Sequence, residues 1–190
     1  MTEQISIDNY LEFDEYNIFY EQKETLNYLF RNVDLEKVAF VGGVADYLNL
    51  RKYYQMPIND VDIIFEEEDV LDRLKAKNEL TKYRCSFYQN RDVREVLVSN
   101  HDINGKRVHV DYFKRNFGTI GMTKSFLLGQ PVYHASFEEM KQFHNDQIPK
   151  LTSETMGEKY EWKRLYKHSR KASLYNNIVY LKEKKIVENV

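Results

Sequence analysis

The stretch FVGGVADYLNLRKYYQMPINDVDIIF, Phe40–Phe65, decides how the rest of the chain is read. It opens as a β-type run, Val38–Val41, that ends on Gly42-Gly43. A short helical stretch (Val44–Leu50) and a loop holding Pro57 (Arg51–Asn59) follow, and a second β-type run, Val61–Phe65, closes it. Asp60 and Asp62 stand at the start of that second run. Side chains alternate across a strand, so both carboxylates fall on one side while Val61 and Ile63 point to the other. Two carboxylates sharing a face repel, and both stay ionised only beside strong positive charge, most simply one or two divalent cations. A third acid of the same kind, Asp111 in RVHVDYF, lies inside another β-type run. Three acids on neighbouring strands make an oxygen-donor site suited to Mg2+. The Gly42-Gly43 pair, at a strand-to-helix turn, lets backbone N–H groups approach a phosphate close to a helix N-terminus.

Outward from this stretch the sequence reads as one mixed α/β unit followed by helices. Apolar positions at Ile18, Phe19, Leu26, Leu29 and Phe30 predict a helix from about Tyr16 to Arg31, with Asp14 as its N-cap. Asp69 to about Leu80 is predicted helical, with Glu66–Asp69 capping its start. Tyr83–Gln89, Val93–Ser99 and Lys106–Phe113 are predicted strands, the last two joined by a turn at Asn104-Gly105. After Gly118 and Gly121 the pattern is irregular until a helical segment at Phe137–His144, and a long helix begins near Gly157. Asn145–Met156 is the one linker-like interval. The expected organisation is a catalytic domain over residues 1–145, with its core at 38–113, and a helical extension over 146–190 packed on it.

Composition bounds what such a unit can be. With 190 residues and 42% hydrophobic side chains the chain can bury a real core. It contains no apolar run of about 18 residues, and its start, MTEQISIDNYLEFDEY, is acidic rather than leader-like, so a cytoplasmic protein without a membrane partner is expected. A single cysteine, Cys85, excludes an internal disulfide framework and reads as a buried small hydrophobe. His101, His134, His144 and His168 have no zinc-type spacing. Net charge is only −2 but polarised: residues 1–72 carry 17 acidic and 5 basic side chains, and residues 150–190 carry 10 basic and 5 acidic ones.

An apolar strand ending in Gly-Gly, a short helix, a polar loop, Asn59-Asp60-Val61-Asp62 and a later strand with Asp111 follow one another in the order that characterises the nucleotidyltransferase superfamily, whose fold is shared with DNA polymerase beta. Over Val38–Phe113 the chain resembles its minimal and antibiotic-modifying members and the abortive-infection toxin relatives, where the glycine pair is followed as in GGVADYL. VYHASFEEMKQF, Val132–Phe143, is a looser echo. KHSRKASLYNNIVYL departs from those relatives, because Ala172 follows Lys171 where they carry an acid. The resemblance implies a mixed sheet flanked by helices and transfer of a nucleoside monophosphate from an NTP to an acceptor, releasing pyrophosphate. Asp60 and Asp62 would hold the metals, expected as two Mg2+ in such a clamp, and Asp111 would complete the one near the acceptor and help deprotonate its hydroxyl. Gly42 and Gly43 would seat the phosphates. The acceptor class, whether small molecule, RNA or protein, has no readable signature.

Several other residues carry weaker expectations. His109 shares a strand face with Asp111 and is a candidate acceptor contact, against a structural role. Asp46 reads as a solvated position, and the fifteen tyrosines mostly as core or half-core. At 100° per residue Lys163, Lys167 and Arg170 form one positive stripe with Lys171 at its edge, and Trp162, Leu165 and Ala172 are expected to dock the helix from the opposite side. The loose resemblance of the C-terminal helices implies that this stripe closes over the acidic site, with Lys167, Arg170 and Lys171 as expected triphosphate contacts. Two other function classes stay open: a non-catalytic nucleotide-binding regulatory relative, and a nucleic-acid-binding module using the basic C-terminal helix.

Overall fold

The structure is a computed structural model that describes residues 13–77, 80–87, 92–103, 106–154 and 159–184, without the side chains of 82–87, 92–97, 99–103, 106–109, 154 and 159–161. The turn expected at Asn104-Gly105, and Gly157, lie outside that description. The chain divides into two compact units, Met1–Cys85 with Arg94–Ser136, and Ser86–Val93 with Phe137–Val190. A seven-stranded mixed sheet is built from β1 (Val38–Val41), β2 (Val61–Phe65), β3 (Leu80–Phe87), β4 (Asp92–Ile103), β5 (Lys106–Lys114), β6 (Met122–Leu127) and β7 (Gln130–Ala135), in the order β3-β4-β5-β2-β1-β7-β6. This is the mixed α/β class expected from the sequence.

β1 and β2 are the middle of that order, and their sequences show why. VAFV and VDIIF are almost wholly apolar, as a strand covered on both faces must be. Phe40, Ile63 and Phe65 are fully buried among Val38, Val61 and Val110. β1 runs antiparallel to β2 and parallel to β7, whereas β2 runs parallel to β5. Helix α1 (Tyr20–Asn32) buries Leu26 and Leu29 at helical spacing, each contributing on the order of 1.5–3 kcal/mol, and ends where Val33 turns extended.

The region read as irregular after Gly121 is a hairpin. β6 and β7 pair antiparallel through a two-residue turn at Leu128-Gly129, both residues having positive φ (48° and 75°). Such turns normally recruit Asn, Asp or Gly, and a leucine hides this one. Tertiary contacts hold Leu128 in place: its N–H donates to Asp14 Oδ2 (2.9 Å) and its side chain is buried. Asp14 is therefore not a solvent-facing cap. It is fully buried, and its Oδ1 accepts from Tyr47 Oη (2.7 Å) and from the Arg51 guanidinium (2.7 Å), while Arg51 also donates to the Phe126 carbonyl (2.9 Å). Burial and the neighbouring Asp14 carboxylate push the Tyr47 phenol far above its ordinary pKa.

The predicted helix over Asp69–Leu80 is shorter and broken: a 3-10 turn (Glu68–Leu71) leads into α3 (Asp72–Ala76), and Leu80 already belongs to β3. The acids at its start do not cap it through their side chains. Glu66 accepts from the Phe117 N–H, Glu68 pairs with Lys75 (3.6 Å) and Lys114 (3.4 Å), and Asp69 pairs with Lys37 (2.9 Å). Lys114 holds the Glu68 carboxyl, and Lys37 the Asp69 carboxyl, below the usual range.

In the second unit, α4 (Phe137–Glu154) passes through the expected linker and through Pro149, which forfeits one backbone bond without ending the helix. It packs antiparallel on α5 (Lys159–Glu183): Phe137 meets Tyr175 edge-on (4.9 Å between rings), and His144 Nδ1 lies 2.9 Å from His168 Nδ1. Two such nitrogens can bond only if one imidazole donates and the other accepts. Burial, then the adjacent His144, lowers the His168 pKa to about 3. The buried side of α5 is His168, Ala172, Tyr175 and Ile178, so Ala172 docks as expected. Trp162 does not; it is 58% exposed.

Candidate active site

Helix α2 (Gly42–Leu50) starts at the glycine pair itself, two residues earlier than its apolar pattern suggests, with Val41 as N-cap and no side-chain cap bond. Gly42 has φ +56°, a left-handed conformation that glycine adopts without penalty. Crowding makes a second demand for glycine. A Cβ on Gly42 would overlap Asp62 Oδ2, and one on Gly43 would overlap Asp60 Oδ1 and stand 3.0 Å from the Asp60 carbonyl oxygen. The two carboxylates thus lie directly against the first turn of α2, where unsatisfied N–H groups and the helix dipole favour negative charge by about 0.3–1 kcal/mol each.

Strand pairing brings the third acid beside them. Val41 pairs with Asp62 across the antiparallel β1/β2 ladder, and Asp62 pairs with Asp111 across the parallel β2/β5 ladder. In-register residues on neighbouring strands project from the same sheet face, about 4.7–4.9 Å apart along the hydrogen-bonding direction. Asp60, Asp62 and Asp111 are all half-buried. Their oxygen donors suit a hard divalent cation. Among the described residues, however, no group of three or more His, Cys, Asp or Glu side chains is gathered closely enough to hold a metal ion. The backbone supplies the register, and the three carboxylates are not converged on one point.

Other candidates fall into place around this set. His109 lies on β5 opposite Asn100. Asp46, read as solvated, is fully buried within α2, which turns its side toward the core that holds Val44, Tyr47 and Leu48. Cys85 is on β3, its side chain outside those described. Of the tyrosines, Tyr47, Tyr112 and Tyr175 are core residues, while Tyr16, Tyr20, Tyr166 and Tyr180 are exposed. His134 on β7 is buried: its Nδ1 lies 2.8 Å from the Ala135 carbonyl and its Nε2 2.9 Å from Ser125 Oγ. A carbonyl only accepts, so Nδ1 carries the proton and Nε2 accepts from the serine hydroxyl, a neutral imidazole with both nitrogens used. Burial lowers its pKa to about 4. A hollow of about 350 Å3 lined by Glu24, Asn27, Phe30, Arg31 and Gln130 shares no residue with the carboxylate set. Lys167 and Arg170 are exposed on α5 and Lys171 is half-buried, all in the second unit.

Comparison with known proteins adds little to this geometry. No family model matches the chain, and no curated protein matches it. A solved structure described as an antigenic nucleotidyltransferase-like protein from Paracoccidioides brasiliensis is similar at 15% identity, over 88% of this chain and 76% of that one, with a TM-score of 0.46. At that distance the functional reading has to be carried by the chain's own residues. Among the described residues no helix is long and apolar enough to cross a membrane.

Proposed function

We propose that the chain is a metal-dependent nucleotidyltransferase that moves a nucleoside monophosphate from an NTP to an acceptor hydroxyl. The acceptor oxygen attacks the α-phosphorus, the bond from that phosphorus to the bridging oxygen breaks, pyrophosphate leaves, and the hydroxyl proton passes to Asp111 or to water. One observation carries the reading. The Gly42-Gly43 turn is built so closely under Asp62 and Asp60 that a Cβ on either glycine would overlap a carboxylate oxygen, and Asp111 is in register beside Asp62. Repulsion between like charges opposes the small gain each carboxylate has from the helix N-terminus, whereas a triphosphate with its Mg2+ ions needs that combination of carboxylates and backbone N–H groups.

In this reading Asp60 and Asp62 would hold the divalent cations, which would supply charge neutralisation on the triphosphate. Asp111 orients and deprotonates the acceptor hydroxyl, and the amides of Gly42 and Gly43 face the phosphates. The test is to incubate the protein with each α-labelled NTP, Mg2+ and a cell extract, following label transfer and pyrophosphate release. The expected result is one labelled fraction that depends on Mg2+ and on Asp62. Absence of both label and pyrophosphate with all four NTPs would refute the enzyme reading. Mg2+-dependent NTP binding without turnover would favour the regulatory, non-catalytic alternative.

A further inference from the structure

The outward side of α5 combines two kinds of side chain that a merely solvated helix does not need together. From Trp162 to Lys182 the sequence contains Lys163, Arg164, Lys167, Arg170, Lys171 and Lys182 and no acid. Within that run Trp162, Tyr166 and Tyr180 are 58%, 70% and 54% exposed. At 100° per residue Trp162, Tyr166 and Tyr180 fall within about 40° of one another, and Lys163, Arg170 and then Lys167 follow along one flank of that line. The apolar side of α5 is already occupied, since His168, Ala172, Tyr175 and Ile178 are buried. The aromatic rings are therefore not left over from core packing. They are displayed along about 27 Å of helix, at 1.5 Å per residue.

We infer that this face binds single-stranded nucleic acid, bases stacking on Trp162 and Tyr166 while Lys163, Lys167 and Arg170 meet phosphates. Charge complementarity selects a polyanion, and the exposed rings select one with flat, unstacked bases over an acidic peptide, which would use the cations and leave the rings in water. A duplex hides its bases and could use only the charges. The sequence-based expectation assigned Lys167 and Arg170 to the triphosphate. Trp162, expected on the docking side but exposed, and the exposed Tyr166 favour a base-bearing polymer. The inference concerns the second unit alone and holds whether or not the carboxylate site transfers nucleotides.

The chain's one tryptophan lies on this face, so its own emission reports stacking. The experiment titrates the full chain, without NTP or Mg2+, with a 12-nucleotide oligouridylate, the matching oligodeoxythymidylate, a 12-base-pair duplex and polyglutamate. Trp162 emission and labelled-oligonucleotide anisotropy are followed between about 50 and 200 mM salt. Both single strands should quench the emission, or one of them if the sugar is read. With three phosphates neutralised, log K should fall with log salt at a slope near −2, a loss of about twenty-fold over that range. Trp162→Ala should weaken binding about 5- to 150-fold, read by anisotropy, with the slope unchanged. The triple variant Lys163→Ala, Lys167→Ala, Arg170→Ala should flatten the slope while quenching persists at low salt. Both variants alter exposed positions, and an unchanged circular dichroism spectrum verifies the fold. Absence of quenching by either single strand would overturn the inference, as would equal binding of the duplex or of polyglutamate. Asp62→Asn should bind the oligonucleotide normally, which separates failure here from failure of the transferase reading.

Discussion

Around Asp14 the first unit closes a carboxylate in, and around Asp60, Asp62 and Asp111 it leaves carboxylates half-open. Asp14 is fully buried, with one oxygen shared by Tyr47 and Arg51 and the other held by the Leu128 N–H. Those bonds tie the segment before α1 to α2 and to the β6–β7 turn. Asp60 and Asp62 keep part of their surface in solvent and press against a turn from which side chains have been removed. An enclosed carboxylate organises the fold around itself. In the proposed function, a partly open pair with a glycine floor leaves carboxylate oxygens within reach of a ligand.

The difference is broken most severely at Asp14. Removing one member of a buried ion pair strands the other, so Asp14→Ala should cost about 3–5 kcal/mol by leaving Arg51 uncompensated. Urea unfolding should show a midpoint lowered to match with an unchanged slope. A loss below about 1 kcal/mol would mean that the network is not the structural tie described.

At the open site the same chemical change should have the opposite balance. Asp60→Asn or Asp62→Asn should lower turnover about 100-fold or more, while the melting temperature stays level or rises as like-charge repulsion is relieved. Asp111→Asn should leave Mg2+-dependent affinity for a non-hydrolysable NTP nearly unchanged and abolish turnover, as the proposed acceptor-side role requires. Calorimetry separates the two, and a large loss of affinity in the Asp111 variant would move that residue to the triphosphate half of the site.

His134 belongs with Asp14 among the enclosed groups, and pH exposes it. Its folded pKa, about 4, is below the unfolded value of 6.5. Between those values the unfolded chain binds a proton that the folded one refuses, so stability rises with pH there. The contribution is complete above about pH 6.5 and is lost as pH falls towards 4, roughly 3 kcal/mol in all. Unfolding free energies at intervals across this window should show that slope, and His134→Asn should flatten it.

How much of this was legible depended on whether a residue's role was local. The β1, Gly-Gly, β2 and Asp111 elements could be read because strand alternation and turn chemistry act over a few positions. Val38–Val41 and Val61–Phe65 have the bounds the pattern predicts. Asp14 and Asp46 misled because their partners or their burial come from elsewhere in the chain: Asp14 bonds to residues 33, 37 and 114 positions away. The β6–β7 hairpin was hidden by its leucine turn. Asn145–Met156 looked like a linker, whereas α4 continues through most of it to Glu154, Pro149 included, and packs on α5. Trp162 looked like a docking residue because apolar character cannot tell a buried face from a displayed one.

The smallest expected effect is a coupling between Gly42 and Asp62, and it tests why the glycine is there. Gly42→Ala has two costs, the left-handed φ of 56° and the overlap of its Cβ with Asp62 Oδ2. The first belongs to the backbone and is about 1–2 kcal/mol wherever the neighbours are. The second exists only while Asp62 has its carboxylate in place, so it should vanish in an Asp62→Ala background. A double-mutant cycle on unfolding free energy should therefore give a coupling of about 1 kcal/mol, within the range found for residues in contact. A coupling near zero would mean that Asp62 turns aside at no cost when Gly42 gains a methyl. Gly42 would then be required by its backbone conformation alone, and the crowded floor that distinguishes this site from Asp14 would lose its support.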